Sequence, residues 1–194
     1  MNDSPSAMSY MSWPNALTAT SLVGGFLALI LTAQGDLGWA AGTVVACGIL
    51  DSFDGLLARR LSKSSAFGAE LDSLADMVSF GVVPALMLYV GVLHTIPFAG
   101  VAMSAGFVLC AAWRLARFSL IPDGHHFLGL PTPPAAVVAV GVAAWAPPAM
   151  LTLVITAMLC VLMVSDFPFP SMRTLGRLLR PRRRTEEEPH IVVE

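Results

Sequence analysis

Residues 51–76 read DSFDGLLARRLSKSSAFGAELDSLAD and bring four aspartates, Asp51, Asp54, Asp72 and Asp76, into an otherwise apolar chain. Of the 194 residues, 56% are hydrophobic and only 12% are charged. Soluble domains carry about 25% charged residues, so the composition indicates a membrane protein. The formal net charge of −2 identifies no partner by itself, and we expect no binding of nucleic acid.

The apolar segments on both sides of this stretch predict the fold class. A helix needs about 20 apolar residues to cross the hydrocarbon core of a bilayer. We predict an all-α, polytopic membrane protein with six transmembrane helices, at about 16–33, 38–59, 69–93, 96–118, 131–147 and 148–165. The last two segments are short, and only the sequence Ala-Pro-Pro separates them. Small residues inside the spans are expected at helix contacts: Gly24, Gly25, Gly42, Gly48, Gly100 and Gly106.

The basic residues predict the orientation of the spans. All 11 lysines and arginines lie between spans two and three, at the end of span four, or after span six. With six spans these three groups fall on one side of the bilayer, and positive residues stay cytoplasmic. We therefore predict a multi-pass protein of the cytoplasmic membrane, with both termini and the aspartate stretch facing the cytoplasm.

The same segmentation divides the chain into an N-terminal juxtamembrane segment (1–13), a six-helix domain (14–168) and a basic, then acidic, cytoplasmic tail (169–194). Two interpretations of the tail stay open. In SMRTLGRLLRPRRR, leucines and arginines at helical spacing fit a short helix lying on anionic lipid. The same residues also fit a basic flank of the last span, followed by a disordered end.

The four aspartates are spaced so that they can form one cluster. Asp51 and Asp54 are three residues apart and Asp72 and Asp76 are four apart, which places each pair on one helical face. We predict that residues 60–68 connect two antiparallel helices, so that the pairs face each other. Carboxylates within a bilayer need compensating charge, because an ionised side chain there is costly. Two divalent cations would balance them, and all-oxygen ligands favour Mg²⁺ or Mn²⁺.

The residues between the aspartates indicate chemistry on phosphate. Glycine inside a helix costs about 1 kcal/mol relative to alanine, so we expect a ligand to pack against the backbone at Gly55. Arg59 offers a planar set of donors suited to phosphate. Together with small residues at Ala58 and Gly68, the metals and this arginine favour phosphoryl transfer on a pyrophosphate.

The stretch resembles the signature of the CDP-alcohol phosphotransferase family. Every fixed position of that signature is present: Asp51-x2-Asp54-Gly55-x2-Ala58-Arg59-x8-Gly68-x3-Asp72-x3-Asp76. The resemblance implies six membrane helices, usually in a homodimer, and two metal ions per active site. It also implies that Asp51, Asp54 and Asp72 are the main metal ligands, and that Asp76 is both a ligand and the general base.

Four further stretches resemble one branch of the family, the membrane-embedded phosphatidylserine synthases: PNALTATSLVGG (14–25), LDSLADMVSFGVVPALMLY (71–89), AAWRLARFSL (111–120) and FLGLPTPPAA (127–136). The resemblance implies transfer of the phosphatidyl group from CDP-diacylglycerol to L-serine, with release of CMP, by a protein that also contacts membrane lipids. It implies a site for the CDP-lipid made by Asn15, Thr18, Asp54, Gly55, Ala58, Arg59, Gly68 and Asp72. The chain departs from the branch at Ser119, often Asn, and near His125 and His126, often Lys or Tyr.

Candidates for the serine pocket come from two helices. Arg114 and Arg117 lie at the cytoplasmic end of span four, where one of them would bind the carboxylate of serine. Alternatively, both extend to lipid headgroups or only set the topology. Ser79 and Phe80 follow Asp76 on the same helical face, and helix packing explains them nearly as well.

Two other functions fit parts of this pattern. The same chemistry could act on another alcohol, such as an inositol compound, glycerol phosphate or choline; a phosphorylated acceptor would need a further basic pocket inside the bundle. A cation-coupled transporter could also use the aspartates, but ion passage gives no reason for the phosphate-binding pattern of Gly55, Arg59 and Gly68.

Overall fold

The computed structural model describes residues 13–61, 66–120 and 130–165, with the backbone alone for residues 13, 14, 53–61 and 118–120. All regular structure in these ranges is helical. The α-helices are α1 (Trp13–Gln34), α2 (Leu37–Leu61), α3 (Ala66–Asp76), α4 (Val83–Gly91), α5 (Ala99–Leu120), α6 (Thr132–Trp145) and α7 (Ala149–Val164). A π-helical segment, Met77–Val82, joins α3 to α4, and a 3-10 turn, Leu93–Thr95, precedes α5.

The helices follow the predicted apolar segments and fit a membrane protein. On length and composition, Asn15–Gln34, Ala66–Gly91 and Ala99–Arg117 can each cross a bilayer. Three shorter apolar helices lie at Leu37–Ser52, Thr132–Trp145 and Ala149–Val164. The all-helical fold predicted from the sequence is therefore confirmed.

The connection between α2 and α3 differs from the prediction. Residues 60–68 were expected to link two helices, but α2 continues through Leu61 and α3 begins at Ala66. Gly68 consequently lies in the first turn of α3 and does not end a loop. The sequence AFGAELDSLAD contains three alanines and two leucines, which favour helix and extend it towards the connection.

The third span, Ala66–Gly91, is the centre of the bundle. Half of its apolar window (50%) is buried, against 28% and 22% for the windows in α1 and α5. Parts of this span contact α1, α2, α5 and α6. Its buried side chains, among them Phe80, Met87 and Leu88, form much of the core. Residues on the third span are therefore held by neighbours on most sides.

The π-helical segment begins directly after Asp76 and is fixed by contacts with α1. The Ser79 hydroxyl donates to the Ser21 carbonyl oxygen over 3.3 Å, and the Cys47 thiol donates to the same oxygen over 3.6 Å. Gly25 permits this approach, because a Cβ there would lie 2.5 Å from Ser79 Oγ. Short π-helical segments within α-helices are frequent at functional sites.

Large apolar side chains cover the outside of the bundle. Phe26, Leu109, Val154 and Met158 are all more than half exposed. Soluble monomers rarely expose contiguous apolar surface on this scale, whereas a surface that faces lipid requires it.

Candidate active site

Three of the four motif aspartates converge in the structure. Asp51 comes from α2, and Asp72 and Asp76 come from α3. Each offers one carboxylate oxygen, and these three oxygens lie within 4.8 Å of one another. Asp72 and Asp76 share a face of α3 because they are four residues apart. The structure thus brings Asp51 of the first pair together with both members of the second pair, Asp72 and Asp76.

This cluster fits a divalent cation chemically. Its ligand atoms are all carboxylate oxygens, which Mg²⁺ and Mn²⁺ prefer over softer metals. Three carboxylates at this separation repel one another strongly in a low-dielectric region. A bound cation would remove that repulsion.

Arg114 places a positive charge beside the cluster. It lies on α5 and interacts electrostatically with Asp76. Its Nη1 donates to the hydroxyl oxygen of Thr132 over 2.5 Å. Thr132 is the first residue of α6 and is fully buried. The sequence analysis missed Thr132 as a site residue, although it lies within the quoted stretch FLGLPTPPAA.

The arrangement combines a motif of fixed spacing, converging carboxylates and an adjacent arginine in a helical membrane fold. Residues 11–174 match the family described as CDP-alcohol phosphatidyltransferase. The chain belongs to this family.

Several curated relatives carry the name CDP-diacylglycerol–serine O-phosphatidyltransferase. The Helicobacter pylori relative from strain J99 is 42% identical over 131 residues, which are 66% of this chain and 55% of that protein. A Mycobacterium tuberculosis relative is 34% identical over 180 residues, 84% of this chain and 62% of the relative. A Bacillus subtilis relative is 33% identical over 161 residues, 82% of this chain and 90% of the relative. The chain thus spans less than two thirds of the first two relatives and most of the third.

Within the family signature, several positions lie where only the backbone is described. Asp54, Gly55, Ala58 and Arg59 follow Asp51 on α2, and their backbone is helical. Their side chains lie outside the described part of the structure. His125, His126 and the tail 169–194 fall outside it altogether, so their assignments stay predictions.

The candidate CDP-binding residues of α1 lie at its N-terminal end. Thr18 is buried and Asn15 is half-buried, and both take part in interactions within the chain. The helix that carries them packs against α2 and α3, which hold the aspartates. Gly68, in the first turn of α3, is half-buried. The binding roles of these residues stay predictions.

The candidate acceptor residues occupy different environments. Ser79 and Phe80 are fully buried in the core. Phe80 packs near Gly48, and the Ser79 hydroxyl donates a hydrogen bond to the Ser21 carbonyl oxygen of α1. Arg117, in the last turn of α5, is half-buried and has an interaction partner. Arg114 interacts electrostatically with Asp76. The assignment of the four side chains to an acceptor pocket stays a prediction.

Proposed function

We propose that this chain transfers the phosphatidyl group from CDP-diacylglycerol to the hydroxyl of L-serine, giving phosphatidylserine and CMP. The observation that carries this proposal is the convergence of the Asp51, Asp72 and Asp76 carboxylates, within 4.8 Å, at motif positions of the family. The relatives named CDP-diacylglycerol–serine O-phosphatidyltransferase support serine as the acceptor. The proposed enzyme is thus a membrane transferase of phospholipid biosynthesis.

We propose that six helices span the cytoplasmic membrane, with both termini and the active site on the cytoplasmic side. Three helices are long enough to cross, and three shorter apolar helices match the remaining predicted spans. Orientation rests on the lysines and arginines, which fall on one side in a six-span arrangement. Exposed tryptophans at the opposite end, Trp39 and Trp145, fit the aromatic residues found at membrane interfaces. A homodimer follows from the family resemblance.

In the proposed reaction Asp76 acts as general base. Its carboxylate takes the proton from the serine hydroxyl, and the serine oxygen forms a bond to the lipid-bearing β-phosphorus. The bond from that phosphorus to the bridging oxygen breaks, and CMP leaves with the bridging oxygen. Asp51, Asp54, Asp72 and Asp76 would hold two Mg²⁺ or Mn²⁺ ions, whose charge, when they are bound, stabilises the negative oxygens of the diphosphate.

The remaining signature residues would bind the substrates. Asn15 and Thr18 of α1 would contact the cytidine diphosphate together with Gly55, Ala58, Arg59 and Gly68. Arg114 is the better supported of the two candidate arginines for the serine carboxylate, because it lies beside the proposed base. Arginine pairs with carboxylates through two parallel hydrogen bonds.

The acceptor is tested with purified protein, CDP-diacylglycerol, Mn²⁺ and radiolabelled alcohols. We expect CMP release and a labelled lipid with L-serine. Release with inositol, glycerol phosphate or choline but not serine would move the chain to another acceptor. If no alcohol yields CMP while the protein transports Mn²⁺ in vesicles, the transferase proposal is wrong.

Arg59→Ala is expected to weaken binding of CDP-diacylglycerol about tenfold or more, since a hydrogen bond to a charged group contributes about 1.5–3 kcal/mol. Binding is measured with the radiolabelled lipid in detergent. Arg60→Ala is the matched control, because Arg60 is the next arginine along α2, successive residues of a helix are about 100° apart around its axis, and Arg60 lies outside the signature. Equal affinities for the two variants would place the phosphate contact elsewhere.

A further inference from the structure

Thr132 is held firmly at the start of α6. Pro131 occupies the position before the helix, with φ −57° and ψ 144°, and its carbonyl oxygen accepts a hydrogen bond from the Ala135 amide over 3.3 Å. The Leu130 amide donates to the Leu162 carbonyl oxygen of α7 over 3.0 Å. These two bonds hold the backbone that leads into Thr132, whose hydroxyl accepts from Arg114.

The bond to Thr132 occupies one end of the Arg114 guanidinium. Arginine carries five N–H donors in a planar fork, and Nη1 donates to Thr132. The buried Nε has no hydrogen-bond partner within the described residues. A buried donor without a partner is unfavourable because it has lost its hydrogen bonds to water, so an acceptor on a bound substrate would stabilise it. The edge that contains Nε is one that pairs side-on with a carboxylate.

Arg114 also interacts with the proposed base. Its guanidinium and the Asp76 carboxylate attract each other electrostatically. A serine that gives its hydroxyl proton to Asp76 would bring its carboxylate near the same region, because the two groups are separated by only two carbon atoms of the substrate. Arg114 thus contacts the Thr132 hydroxyl of α6 on one side and interacts with Asp76, the proposed base, on the other.

We propose that Thr132 is a positioning residue that holds Arg114 for recognition of the acceptor's carboxylate. This inference rests on the proposed function, since it assigns a specificity role within the same site. Thr132 itself touches neither substrate. Its hydroxyl accepts the hydrogen bond from Nη1 of Arg114. The Nε edge of the guanidinium is then left to bind the carboxylate of serine.

Thr132→Val removes the hydroxyl, and Thr132→Ser retains it. For Thr132→Val we expect the KM for L-serine to rise about tenfold or more, because the guanidinium loses its orienting partner. The kcat and the KM for CDP-diacylglycerol should stay within about twofold, since neither depends on binding the carboxylate. Thr132→Ser should restore most of the serine affinity. The matched control is Thr156→Val, at a buried threonine of α7 whose hydroxyl donates to the Thr152 carbonyl oxygen of the same helix over 2.8 Å.

A second measurement does not depend on turnover. Phenylglyoxal modifies free guanidinium groups, and mass spectrometry of the resting protein gives the labelling rate at Arg114 and Arg117 separately. Thr132→Val should raise labelling of Arg114 severalfold and leave Arg117 unchanged. Unchanged labelling of Arg114 would overturn the positioning role, whatever the acceptor is.

The kinetic outcomes separate the two proposals. If the wild-type protein releases no CMP with serine, the proposed function fails and the carboxylate role falls with it, while labelling still decides the positioning role. If serine is the acceptor but Thr132→Val leaves its KM within about twofold, this inference is wrong. A fall in kcat at constant serine KM would also overturn it, because Arg114 would then act on Asp76 instead of the acceptor.

Discussion

Asp76→Asn is expected to reduce serine-dependent CMP release by about 10²–10⁴-fold, the range that a positioned general base contributes. Asparagine has nearly the shape of aspartate but cannot take the hydroxyl proton. It also removes one carboxylate from a cluster whose oxygens lie within 4.8 Å. Asp51 and Asp72 remain, so CDP-diacylglycerol should still bind measurably. Steady-state CMP release and equilibrium lipid binding, measured on the same preparation, test both halves of this result.

Glu70→Gln is the matched control for Asp76→Asn. Glu70 lies on the same helix, is exposed and is not part of the aspartate cluster. Its replacement removes one negative charge from α3 and should leave CMP release within about twofold, because the charge lies on an exposed side chain outside the cluster and solvent screens it. If Asp76→Asn keeps turnover within tenfold of the wild-type rate, another residue is the base. If it abolishes lipid binding as well, Asp76 acts mainly through the metals.

The spacing of the aspartates allowed the cluster to be predicted without a structure. Residues three or four apart share a helical face, and an apolar segment on each side indicates two neighbouring helices. These local rules predicted that Asp51, Asp72 and Asp76 lie close together, and in the structure their carboxylate oxygens lie within 4.8 Å of one another. The side chain of Asp54 lies outside what the structure describes, so the fourth member stays a prediction.

The sequence did not predict contacts that depend on how distant segments pack. Arg114 and Thr132 are separated by 18 positions, and Ser79 and Ser21 by 58. No periodicity links such pairs. The π-helical segment after Asp76 was also missed. Its Ser79 approaches Gly25 of another helix closely, and no local pattern in the sequence indicates that approach. Helix ends were also misplaced around residues 60–68, where the predicted loop is mostly helix.

The glycines show that residue type alone does not identify the positions of helix contacts. All six intramembrane glycines noted in the sequence were expected at helix contacts. The expectation is confirmed at Gly24, Gly25 and Gly100, where an added Cβ would crowd another segment. At Gly42 and Gly106 no atom of the described residues lies within 4 Å of an added Cβ, so a helix contact at these two positions stays a prediction. Only the three-dimensional packing separates the two groups.

Gly100→Ala is expected to lower the free energy of unfolding by about 3 kcal/mol, the upper end of the range for overpacked sites. Gly100 lies in the first turn of α5, and its Cβ would overlap the carbonyl oxygen of Leu93 and lie 2.8 Å from the Leu93 carbonyl carbon. A backbone carbonyl cannot swing aside as a long side chain can. Leu93 is itself fully buried, so a shift of its carbonyl group would disturb the packing of its side chain in the core.

Gly106→Ala is the matched control for this clash, because it makes the same substitution in the same helix. With nothing within 4 Å of its Cβ among the described residues, alanine there should stabilise α5, by up to about 1 kcal/mol from helix propensity. Thermal unfolding of both variants in one detergent gives the comparison. Equal melting temperatures of the two variants would contradict the expected clash between the methyl group added at Gly100 and the Leu93 carbonyl. The turn before α5 would then be able to move away from the added methyl group.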